Sequence, residues 1–369
     1  MYPILIVDIS GLFYRYAYGG ARALSTTIMV DGVLQMVDTT LPAYTIKQLN
    51  RWAKGGSCPL VVCFDGRGST KSRKAYFTKN SYQSGTDVGY KGSRGGQDSK
   101  FYDGINLTKN LLLDGGVTCL QSDGYEADDL IFAAVQQAKK EYPDTPIHVV
   151  TGDVDLVPLV DDQVSVFLYS RKVTYSVDKE YEKKHYMELR PDNFQDYIEN
   201  LTAFKNLTVP YNTVILAKCL RGDKSDDING YPKFTPTKYR NLIESMQNDG
   251  VDFANTFRYC EPKGIISYRG TEEPIPEDLI ESTPKEQKMI KFQEPEKLTE
   301  MCNVLSNYLD EDIVNYVKFV YNGINLNNAF VGLPDGFNRR PARLVAPISC
   351  YSFGKLSQSV SRVQIRLNA

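Results

Sequence analysis

Histidine is almost absent from this chain, with two among 369 residues, His148 and His185. Nucleophilic catalysis of the Ser-His-Asp or Cys-His kind therefore has almost no base to work with. His148 also falls inside an apolar run, where it reads as a core or edge residue of a strand. Cysteine is scattered as Cys58, Cys63, Cys119, Cys219, Cys260, Cys302 and Cys350, an odd number with no CxxC pair. That spacing argues against a zinc cage or a disulfide framework and points to a reducing cytoplasm. No apolar run approaches the roughly 18 residues of a membrane span. The N-terminal MYPILIVDIS has no basic region before its apolar stretch, so neither a membrane partner nor a signal peptide is expected. Net charge is also nearly absent, at −2, but it is unevenly distributed along the chain.

What remains is an ordinary soluble composition, 42% hydrophobic and 24% charged, long enough for a large domain with a smaller one. Continuous apolar runs at Pro3–Val7, Leu60–Phe64, Val117–Leu120, Ile147–Val150 and Val164–Tyr169 predict strands buried on both faces of a sheet. Helical patterns fall between them, at Ala43–Lys54 (closed by Gly55-Gly56), Ile105–Leu113 and from Glu126 to Tyr142. A short helix is expected over Leu156–Val160. This alternation predicts an α/β fold, a mostly parallel central sheet flanked by helices. Further on, Val209–Leu220 reads as an apolar helix and Pro236 opens another. Residues 271–300 hold eight Glu and four Pro, the composition of a linker. Helical periodicity returns over Leu298–Tyr321, and residues 339–369 carry six basic residues and no acid.

Carboxylates gather at strand tips and helix starts. Asp8 and Asp65 end the first two strands, and Glu126, Asp128 and Asp129 open a helix. Asp153 and Asp155 follow the fourth strand, and Asp223 and Asp226 lie between two helices. In an open α/β sheet such positions meet at one edge. So many carboxylates there would repel each other without a cation among them, and hard oxygen ligands select Mg²⁺ or Mn²⁺. Two such ions about 4 Å apart can activate an attacking water and stabilise a leaving oxygen in phosphodiester hydrolysis. Residues 66–100 hold eight basic residues against two acids, with Tyr76, Phe77, Tyr82 and Tyr90 interleaved. That pattern suits a surface for single-stranded nucleic acid.

The blocks LIVDISGLFYR, VCFDG, YKGSR, YEADD, TGDVD and GDKSDDING, in that order over about residues 1–245, resemble the motifs of the phage and bacterial 5′→3′ exonucleases. These are flap-endonuclease-type enzymes that include phage ribonuclease H and the 5′-nuclease domain of bacterial DNA polymerase I. The resemblance implies a two-metal site. Asp65, Glu126 and Asp128 match the acids of the first ion, with Asp8 close by. Asp129, Asp153, Asp155, Asp223 and Asp226 match the cluster of the second. Arg15 matches a phosphate-binding arginine, and Lys91 and Arg94 match basic residues that grip the scissile phosphate. Tyr90 matches an aromatic that stacks on a terminal base, and residues 66–100 match a helical arch over the 5′ single strand. Where the family has a glycine-rich helix-three-turn-helix, often with a K⁺ ion, this chain has GYPKFTPTKY, with Lys233, Lys238 and Arg240 as its basic groups. Asp227 stands in place of the usual Asn.

The implied organisation is a catalytic core over residues 1–205, a helix-three-turn-helix subdomain over 206–262, and a linker with a C-terminal extension over 263–369. The implied activity is Mg²⁺-dependent removal of 5′-terminal nucleotides and flaps from DNA, and of RNA primers from RNA–DNA hybrids, in replication or repair. The partners it implies are DNA with a 5′ flap, nick or 5′ end, the RNA–DNA hybrid, and a single-strand-binding or other replication protein. The compartment would be the cytoplasm, that of the host if the chain is phage-encoded. A PIN-type endoribonuclease and a catalytically silent structure-specific DNA-binding protein are the alternatives.

Overall fold

The fold is taken from a computed structural model. It describes residues 2–30, 33–70, 73–74, 77, 90–91, 99–121, 125–169, 188–190, 213–223, 226–257, 265–266, 280–281, 289–290, 296–324 and 330–331. Arg94, the charged run at 179–184, most of 66–100 and the basic stretch at 339–369 lie outside them.

Five of the six strands of the central sheet are the apolar runs of the sequence. They are β1 (Ile4–Asp8), β4 (Leu60–Cys63), β5 (Thr118–Leu120), β6 (Ile147–Thr151) and β7 (Val164–Leu168), with β8 (Glu188–Leu189) at the edge. The spatial order is β5-β4-β1-β6-β7-β8. All neighbours are parallel except β7 and β8. Leu5 pairs with Leu60 and Val7 with Val150, so the C-terminal tips of β1, β4 and β6 lie side by side. The chain moves outward from β1 through β4 to β5, then crosses to the other side of β1 for β6. The resulting switch point lies between β1 and β6, where such sheets bind ligands.

Alternating side chains supply both faces of the sheet. Leu5, Val7 and Val62 pack with the helices α1 (Ser10–Tyr18), α2 (Thr40–Trp52) and α3 (Ser99–Asp114). Ile4, Ile6, Val61 and Val149 pack on the other face with α4 (Ala127–Glu141), α5 (Val214–Arg221) and α6 (Pro236–Asn248). The same apolar cluster takes in α7 (Glu296–Leu305) and α8 (Glu311–Ile324), through Leu298, Met301, Val317 and Val320. The helical stretch expected over Leu298–Tyr321 is thus two helices, parted at residues 306–310. Thr235 caps α6 by accepting from the Lys238 N–H at 3.3 Å, and Pro236 takes its first turn. The motif's expected glycines are replaced here by an ordinary helix start.

An antiparallel hairpin, β2 (Ser25–Val30) and β3 (Val33–Asp38), lies apart from the sheet. Its Val33, Leu34 and Met36 are 62%, 66% and 79% exposed. Further two-residue ladders join residues 265–266 to 330–331 and 280–281 to 289–290, the latter inside the stretch expected to be a linker. No helix among the described residues is long and apolar enough to cross a membrane.

Candidate metal centre

The strand tips are locked together by a relay of short hydrogen bonds. Asp8 is the last residue of β1 and accepts from the Ser10 N–H at 3.0 Å and from the Thr151 hydroxyl at 2.9 Å. Thr151 accepts in turn from the Asp153 N–H at 2.9 Å, and Asp153 accepts from the Asp155 N–H at 3.0 Å. The TGDVD block is therefore a strand end folded onto the tip of its neighbour. Tyr169 closes the same corner, donating its hydroxyl to the Asp8 carbonyl at 3.3 Å. A Cβ at Gly11 would stand 2.3 Å from that tyrosine oxygen, which is why α1 opens on Ser-Gly. Asp65, past the end of β4, accepts from the Ser10 hydroxyl and from the Ala127 N–H, both at 2.9 Å. It thereby ties β1 and β4 to the start of α4.

The second contribution is the loop after α5, the GDKSDDING block. Gly222 has φ +77°, and a Cβ there would lie 2.4 Å from the Ile228 carbonyl oxygen. Only glycine permits that left-handed turn and close approach. The turn sets up the small ladder of β9 (Gly222–Asp223) and β10 (Ile228–Asn229), which aims Asp223 and Asp226 back at the sheet. Asp227, where the family pattern has Asn, adopts φ 56°, a conformation that both residue types tolerate better than most.

Two groups of acids result. Ligand oxygens of Asp128, Asp153 and Asp155 lie within 4.8 Å of one another, and so do those of Asp155, Asp223 and Asp226. The groups share Asp155. Their electrostatics are those of like charges held together. Burial, then Asp65 and Asp153, raise the Asp8 carboxyl to about 7. Burial raises Asp155 to about 7 as well, with Asp153 adding to the shift and Lys218 opposing it. Burial, then Asp153 and Asp8, lift Asp128 well above the usual carboxylate range.

Glu126 behaves differently. Burial would raise its carboxyl, but Arg73 and Lys91 outweigh that and lower it. Its Oε2 accepts from Lys91 Nζ at 2.9 Å and from the Tyr90 hydroxyl at 3.1 Å, with Arg73 Nη1 at 3.2 Å. Among the described residues its buried Oε1 has no hydrogen-bond partner. An orphaned oxygen beside two groups of hard oxygen donors fits a divalent cation, since a cation would satisfy it and relieve the repulsion.

The sequence-derived residues fall into place unevenly. Asp8, Asp65, Glu126, Asp128, Asp153, Asp155, Asp223 and Asp226 converge on this edge. Asp128 groups with Asp153 and Asp155, while the resemblance matches it to the first ion with Asp65 and Glu126. Both oxygens of Asp129 are engaged by Arg73, at 2.6 and 3.1 Å, and Oδ2 also accepts from the Glu126 N–H at 2.9 Å. Its first role here is to cap α4. Tyr90 is 3% exposed, and the ring expected to meet a terminal base stacks on Phe77 at 5.6 Å. Lys91 is held at φ 50° with its N–H on the Asp226 carbonyl at 2.9 Å. The base of the basic segment is thereby fixed to the acid loop. Arg15 is half-buried on α1, Arg240 is half-buried on α6, and Lys233 and Lys238 are exposed.

Two further residues belong to this site. Arg73 lies in the basic segment expected to meet single-stranded nucleic acid, yet it is buried against Glu126 and Asp129. Lys218 lay hidden in an apolar helix, yet its ammonium pairs with Asp155, Asp223 and Asp226. A lone lysine in VILAKCL, five residues before Asp223, was the available signal. Beside the acids opens a cleft of about 660 Å³, with Phe101 and Ile105 among its apolar lining and Arg67, Lys74, Lys91 and Lys109 among its basic lining.

Comparison with known proteins agrees with this architecture. DNA polymerase I of Mycobacterium bovis is 33% identical over 146 residues, covering 39% of this chain and 14% of the polymerase. The thermostable DNA polymerase I of Thermus filiformis is 26% identical over 227 residues, covering 62% of this chain and 22% of the polymerase. The chain thus matches less than a quarter of the length of these curated relatives. Among solved structures, the T5 D15 protein co-crystallised with metal ions superposes with a TM-score of 0.50 at 13% identity, covering 98% of both chains. That likeness speaks for the fold. A family profile described as "5′-3′ exonuclease, N-terminal resolvase-like domain" matches residues 3–188, half of the chain. With the acids of its motifs assembled on one sheet edge, the chain belongs to the 5′-3′ exonuclease family of nucleases.

Proposed function

We propose that this protein is a Mg²⁺-dependent 5′→3′ exonuclease and structure-specific 5′-flap endonuclease. Its substrates are DNA with a 5′ flap, nick or 5′ end, and RNA primers in RNA–DNA hybrids, during replication or repair. The observation that carries this reading is the meeting of Asp128, Asp153, Asp155, Asp223 and Asp226 in two adjoining groups of oxygen ligands, at the switch point of the sheet. A pair of divalent cations bound there would supply Lewis-acid activation of water and charge neutralisation at the scissile phosphodiester.

The chain's own residues do the rest. Asp128, Asp153 and Asp155 would hold one ion and Asp155, Asp223 and Asp226 the other, with Asp65 and Glu126 beside them. Asp8, bound to Thr151, holds two strand tips in register and faces the site without being free to move. Lys91 presents an ammonium 2.9 Å from Glu126, at the border between acids and cleft, where it would meet a phosphate oxygen. The basic lining of the cleft offsets the repulsion a polyanion would feel from the acids, and its aromatic lining offers stacking surface to a base. Arg94 is assigned to the same phosphate grip by resemblance. Lys233, Lys238 and Arg240 at the start of α6 would hold duplex phosphates, with K⁺ at the preceding turn.

Asp153→Asn should abolish cleavage of a 5′-labelled flap duplex in Mg²⁺ while leaving its affinity for that duplex within about threefold, since the basic contacts remain. Undiminished turnover by this variant would refute the assignment. Running a linear RNA and an RNA–DNA hybrid alongside separates this activity from that of a PIN-type endoribonuclease.

A further inference from the structure

Every residue of α5 from Val214 to Leu220 is buried, and the lysine in the middle of that run is no exception, at 6% exposed. A buried ammonium is costly unless it is paired. Lys218 Nζ pairs with Asp155 Oδ2, lies 2.9 Å from Asp223 Oδ2 and lies 3.3 Å from Asp226 Oδ2. These are the three carboxylates that form the second group of candidate metal ligands.

An ammonium and a divalent ion want the same point among those oxygens. Ammonium nitrogens sit roughly 2.8 Å from carboxylate oxygens, and Mg²⁺ sits about 2.1 Å from its ligands. Three oxygens this close together cannot enclose both. Charge favours exchange as well. With the ammonium in place two of the three negative charges stay unbalanced, and with a divalent ion in its place only one does. The other group differs, since among the described residues no ion pair reaches Asp128 or Asp153.

We propose that Lys218 is the resident counter-ion of the Asp155–Asp223–Asp226 group and is displaced when a divalent cation binds there. Filling this group, unlike filling Asp128–Asp153–Asp155, is then coupled to the swing of one lysine side chain. The lysine keeps three acids gathered in the metal-free protein and sets a threshold for the second ion. This inference rests on the metal assignment proposed above.

Two measurements without substrate test it. In the wild-type protein, Mn²⁺ titration followed by electron paramagnetic resonance counts bound ions, while acetic anhydride labelling read by mass spectrometry reports the exposure of each lysine. Lys218 should be protected without metal and should become at least about threefold more reactive in step with the second ion. Lys139, paired with Asp161 on the outer side of α4, serves as the unchanged reference. In Lys218→Met, removal of the competitor should tighten the weaker Mn²⁺ site about tenfold or more, and the metal-free Tm should fall. Two bound ions with no change in Lys218 labelling would overturn the displacement while leaving the metal centre standing. So would a weaker site left unchanged or loosened by Lys218→Met. Failure of the wild-type protein to bind any Mn²⁺ would overturn both readings. If Lys218→Met does not fold, the wild-type labelling decides alone.

Discussion

At the scale of single residues, the centre is a balance between carboxylates that repel and cations that hold them. Asp8 and Asp155 are raised to about 7, the first by burial, Asp65 and Asp153, the second by burial and Asp153 against the pull of Lys218. Asp128 is also raised, by burial, Asp153 and Asp8. Each therefore has a folded pKa above its unfolded value near 3.8. The contribution of Asp8 and Asp155 to stability is present in full below about pH 4 and is lost as pH rises through about 7, and Asp128 acts in the same sense. Glu126, lowered against burial by Arg73 and Lys91, works in the opposite sense. Its window lies below its ordinary value of 4.5, outside the neutral range. The metal-free protein should accordingly lose Tm between pH 5 and pH 8, and saturating Mg²⁺ should raise Tm more at pH 8 than at pH 5. Thermal melts in chelator and in Mg²⁺ across that range check this. A metal-free Tm that climbs with pH would show that the acids are not mutually repelled.

At the scale of elements, some parts of the fold could be read from the sequence and others could not, for physical reasons. The five apolar strands announce themselves because a strand buried on both faces needs no alternation, and three of the runs directly follow Pro59, Gly116 or Pro146. The acids of the site were legible for the same reason, since they sit where the apolar runs stop. Helix α1 is not evident in the sequence because its apolar residues are interleaved with tyrosines. The β2–β3 hairpin was missed although Asp31-Gly32 between two apolar runs is a strong hairpin signal. Arg73 and Lys218 are hidden by their company, one among cations that suit a nucleic-acid surface and the other among core residues, because pairing across the fold leaves no local trace.

The C-terminal helices show the same limit, since nothing in their sequence says what they pack against. In the structure Phe319 of α8 meets Phe77 edge-on at 5.6 Å, Phe77 stacks on Tyr90, and Tyr90 donates to Glu126. Phe319→Ala should cost about 3–5 kcal/mol, as expected for emptying a buried aromatic site, and Phe319→Leu much less. Denaturant melts of the two variants measure this. Equal stability of wild type and Phe319→Ala would mean that α8 does not bear on this core.

At the scale of the whole molecule, the sheet has two independently packed faces, and the chain distributes itself between them in an order that binds them together. The family match ends at residue 188, yet α5, α6, α7 and α8 all add to the apolar cluster on the α4 face of the sheet. Val149 and Val166 belong to that cluster, while Val150 and Phe167, their neighbours along β6 and β7, belong to the cluster on the opposite face. A strand cannot lose one set of side-chain contacts and keep the other in register, so the faces are mechanically coupled. Trp52, the only tryptophan, is fully buried on the α2 face against Tyr169. It reports on the layer farthest from α8. Unfolding in guanidinium chloride followed by Trp52 fluorescence should therefore coincide with the loss of hydrogen-exchange protection in α8, within about 0.2 M of the same midpoint. Protection in α8 lost well before the fluorescence change would make the C-terminal helices a docked module with its own stability. Coincident midpoints would mean that the metal centre stands on a single cooperative body reaching from β1 to α8, and that damage far from the acids is felt at them.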